Sequence, residues 1–267
     1  MLKKAFSKQN RALLSELVRT DFKLRYQGSV LGYLWSLLRP LLMFIILYIV
    51  FVKFLRVGND IPNFPIYLLL GIVLWTFFAD ITSQSLASIV DRGDLIRKIR
   101  VPRWIIVLSS SISALINLGF NFIIVIVLMA INNVHFLKTS FLLPLIIIEI
   151  YIFALGIAFF LSAAFVKYRD VNYIWEVILQ AGFYVTPILY PISIIKNLFY
   201  QKLILINPVA QSIQDSRYFL VTNKTQTINQ IYGSSYIVLV PIMISLLIFI
   251  LGVLYFKSQS TSFAENI

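Results

Sequence analysis

An all-α integral membrane protein with six transmembrane helices is the fold class this sequence predicts, and three observations predict it. Hydrophobic residues fill 60% of the 267 positions and charged residues only 13%, about half the roughly 25% usual in soluble domains. Six long, nearly uncharged runs occur, at about 33–54, 64–82, 104–132, 141–166, 173–192 and 236–256. Each is close to the ~20 residues that a helix rising ~1.5 Å per residue needs to cross a bilayer. The third observation is asymmetric charge. With the N-terminus inside, 16 of the 23 lysines and arginines flank the spans on the cytoplasmic side and seven, Arg217 among them, fall on the other, the bias that orients membrane proteins. Both termini are therefore expected in the cytoplasm, and the chain divides into an entry segment, 1–32, a membrane domain, 33–256, and a short tail, 257–267. The net charge of +12 gathers beside the spans, where anionic lipid explains it without nucleic acid.

The entry segment comes first. From Leu13 to Leu24 the apolar residues Leu13, Leu14, Leu17, Val18, Phe22 and Leu24 share one half of a helical wheel, opposite Glu16, Arg19, Thr20 and Lys23, the pattern of a helix lying at a membrane surface. Asp21 and Arg25 intrude on the apolar half but stand four apart with the acid first, a favourable pairing. The wheel alone fits a lipid anchor better than a gate helix that touches a partner. Met1-Leu2-Lys3-Lys4 leads into some thirty mixed residues and not into a short apolar run with a cleavage site, so the first span is expected to be its own signal.

Between the second and third spans lies the basic loop 83–103. Asp94 is placed to cap a short helix whose far end carries Arg97, Lys98 and Arg100, the ends that the helix dipole prefers for acid and base. Pro102 stops it. Topology bias explains the charge. It does not explain Leu95, Ile96, Ile99 and Val101 outside the bilayer, which need a surface to bury against. The fifth span is broken: Pro187 and Pro191 stand four apart and each removes a backbone donor. About 40 residues then precede the sixth span. Ile192 to Leu205 is too short to cross and is expected to form a re-entrant or interfacial hairpin on the outer side, turning at Asn207-Pro208.

Catalytic constellations are lacking. His135 is the one histidine and cysteine is absent, so neither a metal site nor an acid–base pair can be assembled around it. No phosphate-binding loop of the form G-x-x-x-x-G-K-[ST] occurs, so ATP, if used, is hydrolysed by another polypeptide. Among the acids within or beside spans, Asp80 and Glu176 lie near span ends, whereas Glu149 is deeper. A bond between helices and a wall of a wet cavity suit Glu149 equally. Trp35, Trp104 and Trp175 fit the interfacial belt. Trp75, Phe77, Phe78, Tyr184 and Tyr190 cluster midway along a span or near the kink, where aromatic faces would suit a sliding sugar polymer.

Seven ordered motifs carry a resemblance: Asp21-Phe-Lys-Leu-Arg-Tyr26, Ser29-Val-Leu-Gly-Tyr-Leu-Trp35, Leu38-Arg-Pro-Leu41, Leu95-Ile-Arg-Lys98 with Val101-Pro-Arg103, Val166-Lys-Tyr-Arg-Asp170, Thr186-Pro-Ile-Leu-Tyr-Pro191, and Asn207-Pro208 followed by Arg217-Tyr218. Together they resemble the permease subunits of ABC transporters that export O-antigen, capsular polysaccharide and teichoic acid. The resemblance implies a homodimer in a bacterial cytoplasmic (inner) membrane, two copies of an ATPase subunit that binds ATP and Mg²⁺, and a lipid-linked polysaccharide as cargo, with no cofactor in this chain. It implies a gate helix carrying Asp21, Lys23, Arg25 and Tyr26. It also implies an ATPase-coupling segment carrying Asp91, Asp94, Leu95 and Ile96 and, with them, Arg97, Lys98, Ile99 and Arg100. Residues expected along the substrate path are Arg39, Trp75, Phe78, Glu149, Tyr184 and Tyr190. The tail after Tyr255 has no motif that specifies a polymer. An ion-coupled secondary transporter leaning on Glu149 is the alternative of another class.

Overall fold

Where no water reaches the backbone, only helices and closed barrels satisfy every amide, and this chain uses helices. The computed structural model describes residues 7–263 except positions 27, 30, 33, 59, 99, 100 and 135–137; eleven α-helices and no strand occur among the described residues. His135, Ile99 and Arg100 thus lie outside them. Helix α1, Lys8–Tyr26, lies against α5 with Leu13, Leu14, Leu17 and Val18 half covered and Glu16, Arg19, Thr20 and Lys23 exposed. Helix α2, Leu34–Leu47, continues as a π-helical stretch, Tyr48–Phe54.

The centre of the bundle is α3, Phe64–Asp91, packed against α5, Arg103–Ile131, and α6, Leu143–Lys167. It is apolar nearly all round, as a helix buried on all sides must be, with Ile66, Leu68, Leu69 and Leu70 wholly covered. This helix corrects one expectation. Residues 83–91, assigned to a loop, remain helical, because Ser85, Leu86, Ser88 and Ile89 are buried in the bundle. The Ser88 hydroxyl donates to the Ser85 carbonyl at 2.6 Å and that of Thr82 to the Phe78 carbonyl at 3.1 Å, so these polar residues bury without water. The loop shrinks to α4, Gly93–Lys98, and a connection to Pro102, the N-cap of α5.

Among the described residues five stretches are long and apolar enough to cross a membrane: α2 with its extension, α3, α5, α6 with the turn before it, and α11, Leu239–Gln259. The expected fifth span, 173–192, is shorter. Helix α7, Val171–Val185, has 15 residues, a rise of about 22 Å against about 30 Å of hydrocarbon. Thr186 turns extended, with ψ 134°, as a residue before proline prefers. Helices α8, Leu198–Leu205, α9, Pro208–Leu220, and α10, Ile228–Tyr232, fold back over that end of the bundle. The turn falls at Asn207, whose side chain accepts from the Val209 amide at 2.9 Å, and a satellite core of Ile192, Leu205, Ala210 and Ile228 holds the cap together.

Breaking a helix inside the protein strands carbonyls, and side chains here meet several of them. The Tyr190 hydroxyl turns back to the carbonyls of Tyr184 (3.2 Å) and Val185 (3.1 Å). Arg217 of α9 donates to Pro187 O at 2.5 Å, Ile188 O at 2.7 Å and Tyr67 O at 3.0 Å. Its guanidinium also lies 3.7 Å from the Tyr67 ring centroid. Gln214 accepts from both, at 3.2 Å from Arg217 and 3.1 Å from the Tyr67 hydroxyl. Arg217 is wholly buried, so it leaves the tally of outer basic charge to which the sequence assigned it. Gly71 makes room: a Cβ there would collide with Arg217 Nη2.

Two substitutions test this knot. Arg217→Lys puts one ammonium where three nitrogens of a fixed fork reach three separate carbonyls, so it cannot meet all of them, and each acceptor left unmet costs about 1–3 kcal/mol; Gly71→Ala pushes the guanidinium out of register. Both are expected to lower the melting temperature of detergent-purified protein by several degrees, while Lys224→Ala, on an exposed turn, leaves it unchanged.

Candidate functional site

Helices α2, α3 and α7 enclose a lateral cleft made of two adjoining cavities of about 820 and 580 Å³, which share Trp35, Arg39 and Asp80. Its aromatic wall is built on α3. Trp75 packs on Phe78 with centroids 5.5 Å apart and on Phe183 at 6.1 Å. Gly182 lets the indole lie against α7, since a Cβ there would stand 2.8 Å from Trp75 Cη2. One turn from Phe78, Thr82 accepts the Trp175 indole N–H at 3.1 Å. These contacts clamp the short α7 onto α3. They leave Tyr184 exposed at the rim.

The floor is polar, which an ordinary bundle core would not be. Asn117 and Asn121, one turn apart on α5, are 4% and 3% exposed, and the carbonyl oxygens of both side chains have no donor; neither has that of Gln84 on α3. All three line the smaller cavity with Arg39 and Asp80. Buried acceptors without partners are costly, so three of them facing one cleft mark a place where donors arrive from outside the chain. A surface of indole and phenol faces beside amide acceptors suits ring-shaped, hydroxyl-bearing molecules.

At the far end of α3 a second constellation joins three elements. Arg92, the residue after α3, forms an ion pair with Asp21 of α1. It also donates to Ser109 Oγ at 3.4 Å, and that hydroxyl lies 3.2 Å from Asp21 Oδ2. Partly covered pairs with a third hydrogen bond hold geometry better than exposed ones do. Asp21, for which Arg25 was the expected partner, is thereby committed to the next residue but one before α4's Asp94. The side chains of Arg25 and Tyr26 lie outside the described residues, and Lys23 is exposed.

Of the expected coupling residues, Asp94 to Lys98 fall on the short helix α4. Asp94 stands in the first turn of α4, and Arg97 and Lys98 in its last. Leu95 is half-buried, whereas Ile96 turns back onto the main core, so one apolar face is already covered by the chain itself. Asp91 is the exposed last residue of α3. Of the expected path residues, Arg39, Trp75 and Tyr184 meet in the cleft. Phe78 is buried behind Trp75, stacked on Phe153 at 5.8 Å. Tyr190 caps α7, and Glu149 lines a separate cavity at the α9 end of the bundle. Sequence reasoning passed over Asn117, Asn121 and Gln84. Their signal was present: two amides at i and i+4 in an otherwise apolar span share one face.

Comparison with known proteins follows this geometry. The family model for ABC-2 type transporters matches residues 12–221. An O-antigen export system permease protein RfbA of Myxococcus xanthus is 32% identical over 202 residues, 75% of this chain and 77% of that protein. One of the same name from Klebsiella pneumoniae is 31% identical over 258 residues, 95% of this chain and 94% of its own length.

Replacing Asn117 and Asn121 together by Ala tests whether they serve the fold. Removing buried acceptors that have no donor is expected to leave the melting temperature unchanged or raise it, since each unmet acceptor costs about 1–3 kcal/mol. A drop of several degrees would make them structural.

Proposed function

The chain belongs to the ABC-2 type transporter family, and from that membership we propose that it is the permease through which an ABC exporter carries a lipid-linked polysaccharide of the O-antigen class across a bacterial cytoplasmic membrane. As a membrane subunit of that family it works beside an ATPase, which sets aside the ion-coupled alternative. The observation that carries the cargo assignment is the cleft: amide acceptors without donors beneath exposed aromatic faces, in a chain that aligns over 95% of its length with an O-antigen export permease. Sugar hydroxyls supply the donors that Gln84, Asn117 and Asn121 lack. Trp75 and Tyr184 offer flat apolar surfaces along which C–H faces slide without being fixed, as a moving polymer requires.

The cleft is open on one side. Helix α7 has no fully buried residue, and α2 exposes Leu34, Leu42 and Ile46 beside it. Such a continuous apolar face in a helix pair calls for lipid or protein; we assign it to a second copy of this chain, so that two clefts join into one path. The basic residues orient the pair with both termini and α4 toward the cytoplasm. There α4 meets the ATPase, one copy for each permease. Leu95 enters its groove, and Arg97 and Lys98 lie at the rim, where charge steers association more than it holds it.

Four outcomes are expected. The isolated permease hydrolyses no ATP and the complex does, and Asn117→Ala/Asn121→Ala lowers cell-surface polysaccharide while the complex still assembles. Leu95→Asp puts an unpaired charge into the ATPase contact at a cost of about 3–5 kcal/mol, so the ATPase is lost on purification although the permease still inserts; a stoichiometric ATPase and normal export in that variant would remove α4 from the interface. Cysteines introduced at Ser7 and Ser260, in a chain with none of its own, stay unlabelled by membrane-impermeant reagent in intact cells; ready labelling of either reverses the topology.

A further inference from the structure

At the α9 end of the bundle, apart from the cleft, a cavity of about 760 Å³ lies between α6, α9, α10 and α11. Its shape follows from two glycines. Helices α6 and α11 run parallel and touch where Gly156 meets Gly252: a Cβ on Gly156 would stand 2.5 Å from Phe249 Cα, and one on Gly252 would collide with the Gly156 carbonyl. Seven residues back along each helix, about two turns, Glu149 and Ser245 both line the cavity, because the helices have separated there. Helix α9 adds Asp215, 7% exposed, with the Gln211 amide donating to its Oδ2.

The lining has two carboxylates and, among the described residues, no lysine, arginine or histidine. Arg217, two positions from Asp215, is fully engaged by the carbonyls of Tyr67, Pro187 and Ile188. Glu149 Oε1 and Asn229 Oδ1 are buried without any donor. Two carboxyls facing one cavity beside unmet acceptors favour an occupant that brings positive charge and several N–H donors. The rim says where that partner comes from. Leu145, Ile148 and Leu246, 63%, 51% and 40% exposed, border the mouth, so the cavity opens sideways onto hydrocarbon. A free metal ion fits poorly: no group of three or more His, Cys, Asp or Glu side chains that could hold one exists among the described residues.

We propose that this cavity binds a phospholipid with a primary-amine headgroup, its ammonium held between Glu149 and Asp215 and its acyl chains lying along the exposed faces of α6 and α11. The ammonium's three donors match the unmet acceptors. Gln230, whose Oε1 already accepts from the Thr227 amide at 3.1 Å, keeps its Nε2 for the lipid phosphate. A choline headgroup carries the charge without N–H donors, and glycerol carries neither.

The full-length permease is purified, delipidated and titrated with defined phosphatidylethanolamine, phosphatidylcholine or phosphatidylglycerol, and bound lipid is read by native mass spectrometry. Phosphatidylethanolamine is expected to be retained about tenfold more strongly than phosphatidylglycerol, the ratio that about 1.4 kcal/mol of charge-assisted hydrogen bonding gives. Glu149→Gln with Asp215→Asn should abolish that preference. Ile148→Trp, which blocks the mouth from an exposed position and leaves both acids in place, should abolish it too, and this keeps the test valid if the double amide variant fails to fold. Equal retention of the three lipids by the unaltered protein, a preference that survives Ile148→Trp, or its displacement by millimolar Mg²⁺ or Ca²⁺ would each overturn the proposal. None of these outcomes depends on which polymer, if any, uses the cleft.

Discussion

A broken helix must be repaired within the protein, and the guanidinium of Arg217 is what repairs this one. Proline at 187 ends α7 among buried residues, where stranded carbonyls have no water to turn to. A single planar cation with donors pointing in fixed directions meets Pro187, Ile188 and Tyr67 at once; a lysine, with one ammonium at the end of a flexible stem, could not serve carbonyls from two elements in that geometry. The consequence reaches well past α9. With the turn after α7 tied to α3 through Tyr67, the direction of α7 is set, and with it the separation of Tyr184 from Trp75. The cleft owes its width to an interaction at its far end.

One helix carries the load between the two ends of the molecule. Helix α3 meets Arg217 near its start, bears Trp75, Thr76 and Asp80 of the cleft midway, and finishes at Asp91, beside the Arg92 ion pair with Asp21. It is covered almost throughout, and packed interiors transmit displacement instead of absorbing it. A push on α4 therefore has two routes, along α3 to the cleft wall and through Arg92 and Ser109 to α1. The amphipathic entry helix is joined by this ion pair to the residue that precedes α4, so under the proposed function a displacement of α4 would reach α1 as well.

Most of the fold was legible in the sequence because the bilayer imposes so crude a rule. Long apolar runs without charge have few alternatives, and α2, α3, α5, α6 and α11 fall close to where hydropathy puts them. The misreadings share a cause. Ser83 to Asp91 looks like a loop because serine is polar, yet hydroxyls that bond to their own helix bury at little cost. Arg217 looks like an outer surface charge because nothing local reveals that carbonyls 30 and 150 positions away will surround it. For Tyr190 the sequence offered only a ring, and the structure adds that its hydroxyl caps α7. Asn117 and Asn121 were visible as amides one turn apart, but whether a buried amide has a partner is a property of the assembled bundle alone.

The two cavities differ in what they leave unsatisfied, and that difference separates their roles. The cleft offers neutral amide acceptors along an aromatic wall, with Arg39 and Asp80 both at its edge. Neutral acceptors hold a passing hydroxyl by about 0.5–1.5 kcal/mol each, weak enough to release it, as a conduit must. The cavity at the α9 end instead confines two carboxyl groups with, among the described residues, no cation in its lining, and charge-assisted bonds in a low-dielectric pocket are roughly twice as strong. Such a pocket suits an occupant that stays. Under the proposed roles the first is a surface over which cargo moves and the second one at which a lipid is held.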